Sequence, residues 1–201
     1  MTPLDAALLG LVQGLTEFLP VSSSGHLVLT ASLLGLEPNL LFDVLVHLAT
    51  LIATVLYYRK DVVQVGASLV KAPSCGWATS WSDPSFRLAM YVVAASVPTA
   101  AMGLGLKDLI ESRFANPGYV GLFLTVTGAL LALTLLRKNS TSTTQLTLGL
   151  AILLGCVQGC AILPGISRSG STIAVALLLG IAGKEAARFS FLMALPAISG
   201  A

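Results

Sequence analysis

Residues 17–27 read EFLPVSSSGHL, a carboxylate, three hydroxyls and an imidazole in one short run. Residues 163–172 read LPGISRSGST, where hydroxyls surround an arginine. These are the groups that handle phosphate. The planar fork of Arg168 matches phosphate oxygens. Ser22, Ser23 and Ser24, like Ser167, Ser169, Ser171 and Thr172, stand where a short helix begins, and hydroxyls with free N–H groups at a helix N-terminus seat an anion. Gly165 and Gly170 let backbone come close to a ligand. Glu17 and His26 are titratable groups beside them, and both clusters interrupt apolar sequence. A carboxylate deep in a bilayer costs about 2.5–3.5 kcal/mol on insertion scales, so intramembrane charge reads as functional.

The bland alternatives are a paired structural Glu17, a hydrogen-bonded packing His26 and a buried Arg168–Glu17 staple. The staple does not account for so many hydroxyls. A lone intramembrane Arg168 needs a counter-ion, supplied by Glu17 or by an anionic ligand. Gln13 lies one helical turn before Glu17 and faces the same side. It either positions a water or cation there or satisfies a backbone group. Asp43 and His47, four apart, read as a mutual pair on a protein-facing surface, outside the chemistry. Glu37, Asp83 and the charges at 107–113 read as solvated loop residues.

The elements that must hold these groups are helices in a membrane. Of 201 residues, 55% are hydrophobic and 10% charged, against roughly 25% charged in soluble domains. The formal charge of +2, without a basic run, argues against a nucleic-acid partner. Cys156 and Cys160 share one apolar helix face and read as packing residues; with Cys75 they make an odd set and no metal site. The start, MTPLDAALLG, lacks the basic residue of a secretory signal. Four segments, 40–58, 85–106, 118–136 and 146–163, approach the roughly 20 residues of a membrane span. Polar breaks fall at 59–61, 71–84, 107–117 and 137–145, and 62–70 reads as a short helix on the surface. Residues 24–36 and 169–181 cover only about 20 Å each. Each follows a longer helix and a turn at Pro20 or Pro164, which predicts a re-entrant hairpin about 3–36 and another about 146–181.

Shifted by 145 positions, the chain matches itself. Leu8-Leu9-Gly10 falls on Leu153-Leu154-Gly155, Val12-Gln13-Gly14 on Val157-Gln158-Gly159, and Ser22, Ser24 and Gly25 on Ser167, Ser169 and Gly170. We therefore expect an all-α polytopic membrane protein of two repeats, 1–136 and 146–201, the second with one span about 185–201. Three spans between the hairpins make the repeats inverted, which places a site at the repeat interface near mid-membrane. The second unit is expected to lack two further spans, roughly 60–75 residues with their loops. Arg59, Lys60, Lys71, Arg137, Lys138, Lys184 and Arg188 fall on one side, which the positive-inside rule makes cytoplasmic. The N-terminus and Glu37 then lie outside, where Lys107 and Arg113 are accompanied by Asp108 and Glu111.

QGLTEFLPVSSSGH (13–26) and PGISRSGST (164–172) resemble the two signature motifs of the bacterial undecaprenyl-diphosphate phosphatase family, also called bacitracin-resistance proteins. The second follows Pro-Gly-x-Ser-Arg-Ser-x-x-Thr at each fixed position. The first follows Glu/Gln-x-x-x-Glu, with Gln13 and Glu17. The resemblance runs through the whole chain, though family members usually continue beyond its C-terminus. It implies hydrolysis of undecaprenyl diphosphate to the monophosphate, recycling the lipid carrier for peptidoglycan synthesis and giving bacitracin resistance. It further implies a multi-pass protein of the bacterial inner membrane, helped by a divalent cation, Mg2+ or Ca2+. Glu17, Ser23, His26 and Arg168 then correspond to the catalytic core. Ser23 is the expected nucleophile and His26 its base and then acid, with Glu17 holding the metal or orienting His26. His26 as nucleophile, or as activator of water, is the rival assignment. Gln13, Ser22, Ser24, Gly165, Ser167, Ser169, Gly170 and Thr172 are expected to contact substrate. The partners are a polyprenyl diphosphate and the bilayer, with room for a homo-oligomer. A transporter or flippase of isoprenoid phosphates is the alternative, because inverted repeats with broken helices are transporter architecture.

Overall fold

The computed structural model describes residues 1–37, 39–105, 117–137 and 144–200. It is all-helical there. Among the described residues ten helices follow in order: α1 (Pro3–Thr16), α2 (Ser23–Leu33), α3 (Leu40–Tyr57), α4 (Arg59–Cys75), α5 (Trp77–Ser80), α6 (Pro84–Gly105), α7 (Pro117–Thr134), α8 (Leu148–Cys160), α9 (Arg168–Leu178) and α10 (Gly183–Ser199). Local chemistry sets several starts. Thr2 and Asp5 close a capping box on α1, with Thr2 N–H donating to the Asp5 carboxylate (2.7 Å) and Asp5 N–H to the Thr2 hydroxyl (3.2 Å). Asn39 accepts from Phe42 N–H at 3.0 Å at the head of α3, and Thr147 from Leu150 N–H at 3.3 Å at the head of α8.

The expected segments appear with ends shifted by up to about three residues. Among the described helices α6, at 22 residues, is long and apolar enough to cross a bilayer alone. Residues Leu41–Tyr57 and Arg59–Ser74 pass that test only together, and they are bent by 79°. Arg59, Lys60 and Asp61, expected as a break, instead open α4, which runs well past the short surface helix expected at 62–70. Arg and Lys are good helix formers and Asp suits a first turn, so the chain turns at Tyr58 and resumes. α7 and α8 are shorter apolar helices. The charges at 107–113, together with Lys138, lie outside the described residues.

The most extensive helix contact is α6 on α8. It is close because it is made by small residues: a methyl on Gly155 would fall on the Ala95 carbonyl, and one on Gly159 would meet Met102 Sδ at 2.5 Å. The Thr99 hydroxyl, one turn beyond Ala95, donates to the Gly155 carbonyl at 2.9 Å. α10 joins this core through Phe189 and Met193, and α9 through Ala176. Leucines and valines on the outer faces of α1, α3, α6 and α7 stay exposed, the pattern of helices that face lipid.

Two hairpins, α1–α2 and α8–α9, bring their tips together. A methyl on Gly25 would lie 3.0 Å from Gly165 Cα, and one on Gly170 would lie 2.8 Å from the Pro20 carbonyl. Positions 20 and 165, like 25 and 170, differ by 145, so the same contact is made twice with the roles exchanged.

Candidate functional site

The C-terminal turn of α1 carries Gln13 and delivers Glu17, whose N–H donates to the Gln13 carbonyl at 2.9 Å. Pro20 follows, and the chain re-enters helix at Ser22. There φ is 68°, the one non-glycine positive φ among the described residues. Such backbone is disfavoured for an L-residue and persists where surrounding structure imposes it. The Ser22 hydroxyl caps α2 by accepting from Gly25 N–H at 3.3 Å and lies 3.4 Å from the Ser24 hydroxyl. Ser23 is thereby the first helical residue, with His26 one turn on.

The second hairpin repeats this construction. Ser167 caps α9 by accepting from Gly170 N–H at 3.0 Å, and its hydroxyl lies 3.5 Å from that of Ser169. Gly165 has φ 101°, and a methyl there would meet the Val120 carbonyl at 2.5 Å. α7 locks the turn: Thr127 Oγ1 donates to the Gly165 carbonyl at 2.9 Å and accepts from Ser167 N–H at 3.0 Å. Arg168 becomes the first residue of α9, the position that Ser23 holds in α2.

Both helix starts reach one carboxylate. Arg168 Nη2 donates to Glu17 Oε1 and Ser23 Oγ to Glu17 Oε2, while Gln13 Nε2 donates to Oε2 at 3.1 Å. Glu17 is 9% exposed and Gln13 wholly buried. The guanidinium and two further donors replace hydrogen bonds that the carboxylate loses to water on burial. Gln13 Nε2 also lies 3.4 Å from Thr50 Oγ1 on α3, whereas Gln13 Oε1 is buried and unpartnered.

α3 adds a residue that the sequence reading set aside. His47 Nε2 stands 4.0 Å from Glu17 Oε2, and its Nδ1 lies 2.7 Å from the Asp43 carbonyl. The expected mutual pair thus runs through Asp43's backbone, and the imidazole turns to Glu17. His26 Nδ1 likewise lies 2.8 Å from the Ser22 carbonyl. A carbonyl only accepts, so each Nδ1 carries hydrogen and leaves Nε2 as the nitrogen able to take a proton. His47 was legible as an imidazole four residues after an acid; that it faces Glu17 was not.

The other residues expected to contact substrate have protein partners of their own. Thr172 is buried, donates to the Arg168 carbonyl at 2.8 Å and lies 2.6 Å from the Ser190 hydroxyl, so it ties α9 to α10. Gly165 and Gly170 spend their missing side chains on α7 and the opposite tip. Ser22 and Ser167 are helix caps, and Ser169 Oγ lies 3.5 Å from the Leu19 carbonyl. Among the described residues no cluster of three or more His, Cys, Asp or Glu stands ready for a metal. Cys156 and Cys160 are free thiols.

Residues 6–201 match the family described as bacitracin resistance protein BacA. The chain belongs to that family. It is similar to proteins named undecaprenyl-diphosphatase throughout its length. It is 49% identical to that of Desulfosudis oleivorans, with 100% of this chain and 76% of the relative covered. Against the Syntrophotalea carbinolica protein the identity is 46%, covering 100% and 75%. Against that of Carboxydothermus hydrogenoformans it is 45%, covering 100% and 72%. The residues that converge on Glu17 come from the stretches 13–26 and 164–172, both inside the matched region.

Proposed function

We propose that the chain is a membrane-embedded phosphatase that hydrolyses undecaprenyl diphosphate to undecaprenyl phosphate and inorganic phosphate. Within the family this frees the lipid carrier for cell-wall synthesis and gives bacitracin resistance. One observation carries the placement of the chemistry: Ser23 and Arg168, first residues of two opposed half-helices, bond to the same buried carboxylate. The two hairpins and the exchanged Gly25–Gly165 and Gly170–Pro20 contacts support an inverted repeat, units 1–136 and 146–201, with its site where the tips meet. The Asp61–Arg188 pair and the bond from Arg137 to the Ile181 carbonyl (3.3 Å) gather the basic residues at one end. That end is the cytoplasmic one of an inner-membrane protein.

In this reading the diphosphate draws the fork of Arg168, and the N–H groups of both helix starts face its charge. Ser23 Oγ attacks the terminal phosphorus, and the bond from that phosphorus to the bridging oxygen breaks. Undecaprenyl phosphate leaves, and water then hydrolyses the phosphoserine. The hydroxyl proton of Ser23 passes to Glu17 Oε2, to which it already donates, so the base is the carboxylate rather than His26. Undecaprenyl phosphate departs as its anion; His26 Nε2 then takes a proton from the attacking water, and Glu17 returns its proton to Ser23 Oγ as the phosphoserine breaks. A divalent cation fits the donor set. Mg2+ and Ca2+ take oxygen ligands, and Gln13 Oε1, buried and unpartnered next to Glu17, is one. Gln13 and Glu17 would hold the cation, which would offset phosphate charge.

Phosphate release by purified protein tests the reading, with Glu17→Ala and Arg168→Ala each expected to lower it by about a hundredfold or more. Lipid scrambling in vesicles without phosphate release would overturn it in favour of a carrier. Rapid quench with labelled diphosphate should place the label on Ser23; label on His26 would reverse the two roles.

A further inference from the structure

His47 reaches the site without a hydrogen bond in it. Its Nδ1 lies 2.7 Å from the Asp43 carbonyl, which places hydrogen on that nitrogen and leaves the neutral ring a lone pair on Nε2. That nitrogen stands 4.0 Å from Glu17 Oε2, too far for a hydrogen bond, and two acceptors brought together repel. A metal ion between them reconciles the pair. Imidazole nitrogen and carboxylate oxygen each stand about 2.0–2.2 Å from a divalent ion such as Zn2+, so ligands on opposite sides of it lie about 4.0–4.4 Å apart. The Nδ1–H bond to a carbonyl is also the support that metal-bound histidines take, because it orients the ring and keeps Nε2 for the ion.

A second observation points to the same place. Gln13 Oε1 is buried and has no partner, although Nε2 of the same amide donates to Glu17 Oε2 at 3.1 Å and lies 3.4 Å from Thr50 Oγ1 on the helix of His47. Turning that amide over exchanges its donor for its acceptor and frees a lone pair of Glu17 Oε2 for an ion. Gln158, the counterpart of Gln13 in the 145-residue repeat, also has an unpartnered Oε1. At the same offset, however, Ile162 and Leu192 stand where Glu17 and His47 do, so the second repeat offers no such ligand set.

Resting on the cation that the reading above gives to Gln13 and Glu17, we infer that His47 Nε2 is a third ligand of that ion. The set is then one carboxylate, one amide oxygen and one imidazole. Oxygen ligands alone suit Mg2+ and Ca2+, whereas an imidazole nitrogen moves the preference toward transition ions such as Zn2+. His47 is therefore the residue that sets which metal the site prefers.

The test uses the full chain without an affinity tag, purified in detergent, stripped by chelator and loaded with Mn2+ in the absence of substrate. Electron spin-echo modulation reads nitrogen bound to the ion, and displacement of Mn2+ by Zn2+ and by Mg2+ reads the preference. The chain has two histidines, so one substitution at each assigns the signal. Wild type and His26→Gln should show imidazole modulation, and His47→Gln and His47→Ala should lose it while still binding Mn2+. The ratio of Mg2+ to Zn2+ needed for half displacement should fall at least about tenfold in His47→Gln. Mn2+ bound to wild type without imidazole modulation, or modulation kept in both His47 variants, would overturn the ligand assignment alone. Failure of wild type to bind Mn2+ or Mg2+ would overturn that assignment together with the cation on Gln13 and Glu17. Modulation present but no phosphate release by the loaded wild type would overturn the phosphatase reading and leave the ligand assignment standing.

Discussion

At the scale of residues, a single carboxylate organises the site. Glu17 holds Arg168 from α9, Ser23 from α2 and Gln13 from α1, and His47 on α3 stands 4.0 Å away. Geometry matters here as well as charge. Arg168→Lys keeps the cation but loses the planar fork, so it removes one charge-assisted hydrogen bond to phosphate. That should cost about 2–3 kcal/mol of transition-state stabilisation, roughly a hundredfold in kcat/KM. Steady-state phosphate release measures it, and near-normal turnover would sink the clamp. Glu17, Ser23, His26 and Arg168 were all legible as polar groups out of place in apolar sequence. His47 was legible only as a pair with Asp43, because sequence spacing says which residues share a helix and not what that helix faces.

At the scale of elements, glycine decides which helices touch. α6 lies on α8 where Gly155 and Gly159 leave room for Ala95 and Met102, while Gly10 and Gly14, their counterparts on α1, have nothing within 4 Å. The two sets should answer substitution with opposite sign. Gly155→Ala forces the helices apart and should lower stability by roughly 1–3 kcal/mol. Gly10→Ala adds a methyl to open space and removes a helix-breaking residue, a gain of up to about 1 kcal/mol. Thermal unfolding in detergent reads both, and a lower melting temperature for Gly10→Ala would contradict the packing. The half-helices follow from Pro20 and Pro164 with the serine caps after them, so their existence was readable. The start of α4 was not: Arg59, Lys60 and Asp61 carry a loop's composition but are sound residues for a first helical turn.

At the scale of the whole molecule, a partly buried Arg–Glu pair and two helix N-termini have to be held inside an apolar solvent. The opposed hairpins do this by closing on each other and on α7, so that no backbone donor at the tips need face lipid. At the far end Arg188 pairs with Asp61. In a background lacking Cys75, Cys156 and Cys160, a cysteine at Asp5 should react with an impermeant thiol reagent from outside intact cells. One at Lys60 should react only after the membrane is opened. The reverse labelling would invert the orientation.

By itself the sequence determined what the chain is made for. Its hydropathy sets a lipid solvent, its 145-residue repeat sets two matching hairpins, and its two hydroxyl-rich motifs set a phosphate chemistry. These are local properties, carried by residue type and spacing. Only the tertiary structure decided that Ser23 bonds to Glu17, that Thr172 reaches Ser190 on α10, and that His47 approaches the site. Those outcomes depend on how helices far apart in the chain rotate and approach, and that is settled by packing small residues against one another rather than by any short stretch of sequence.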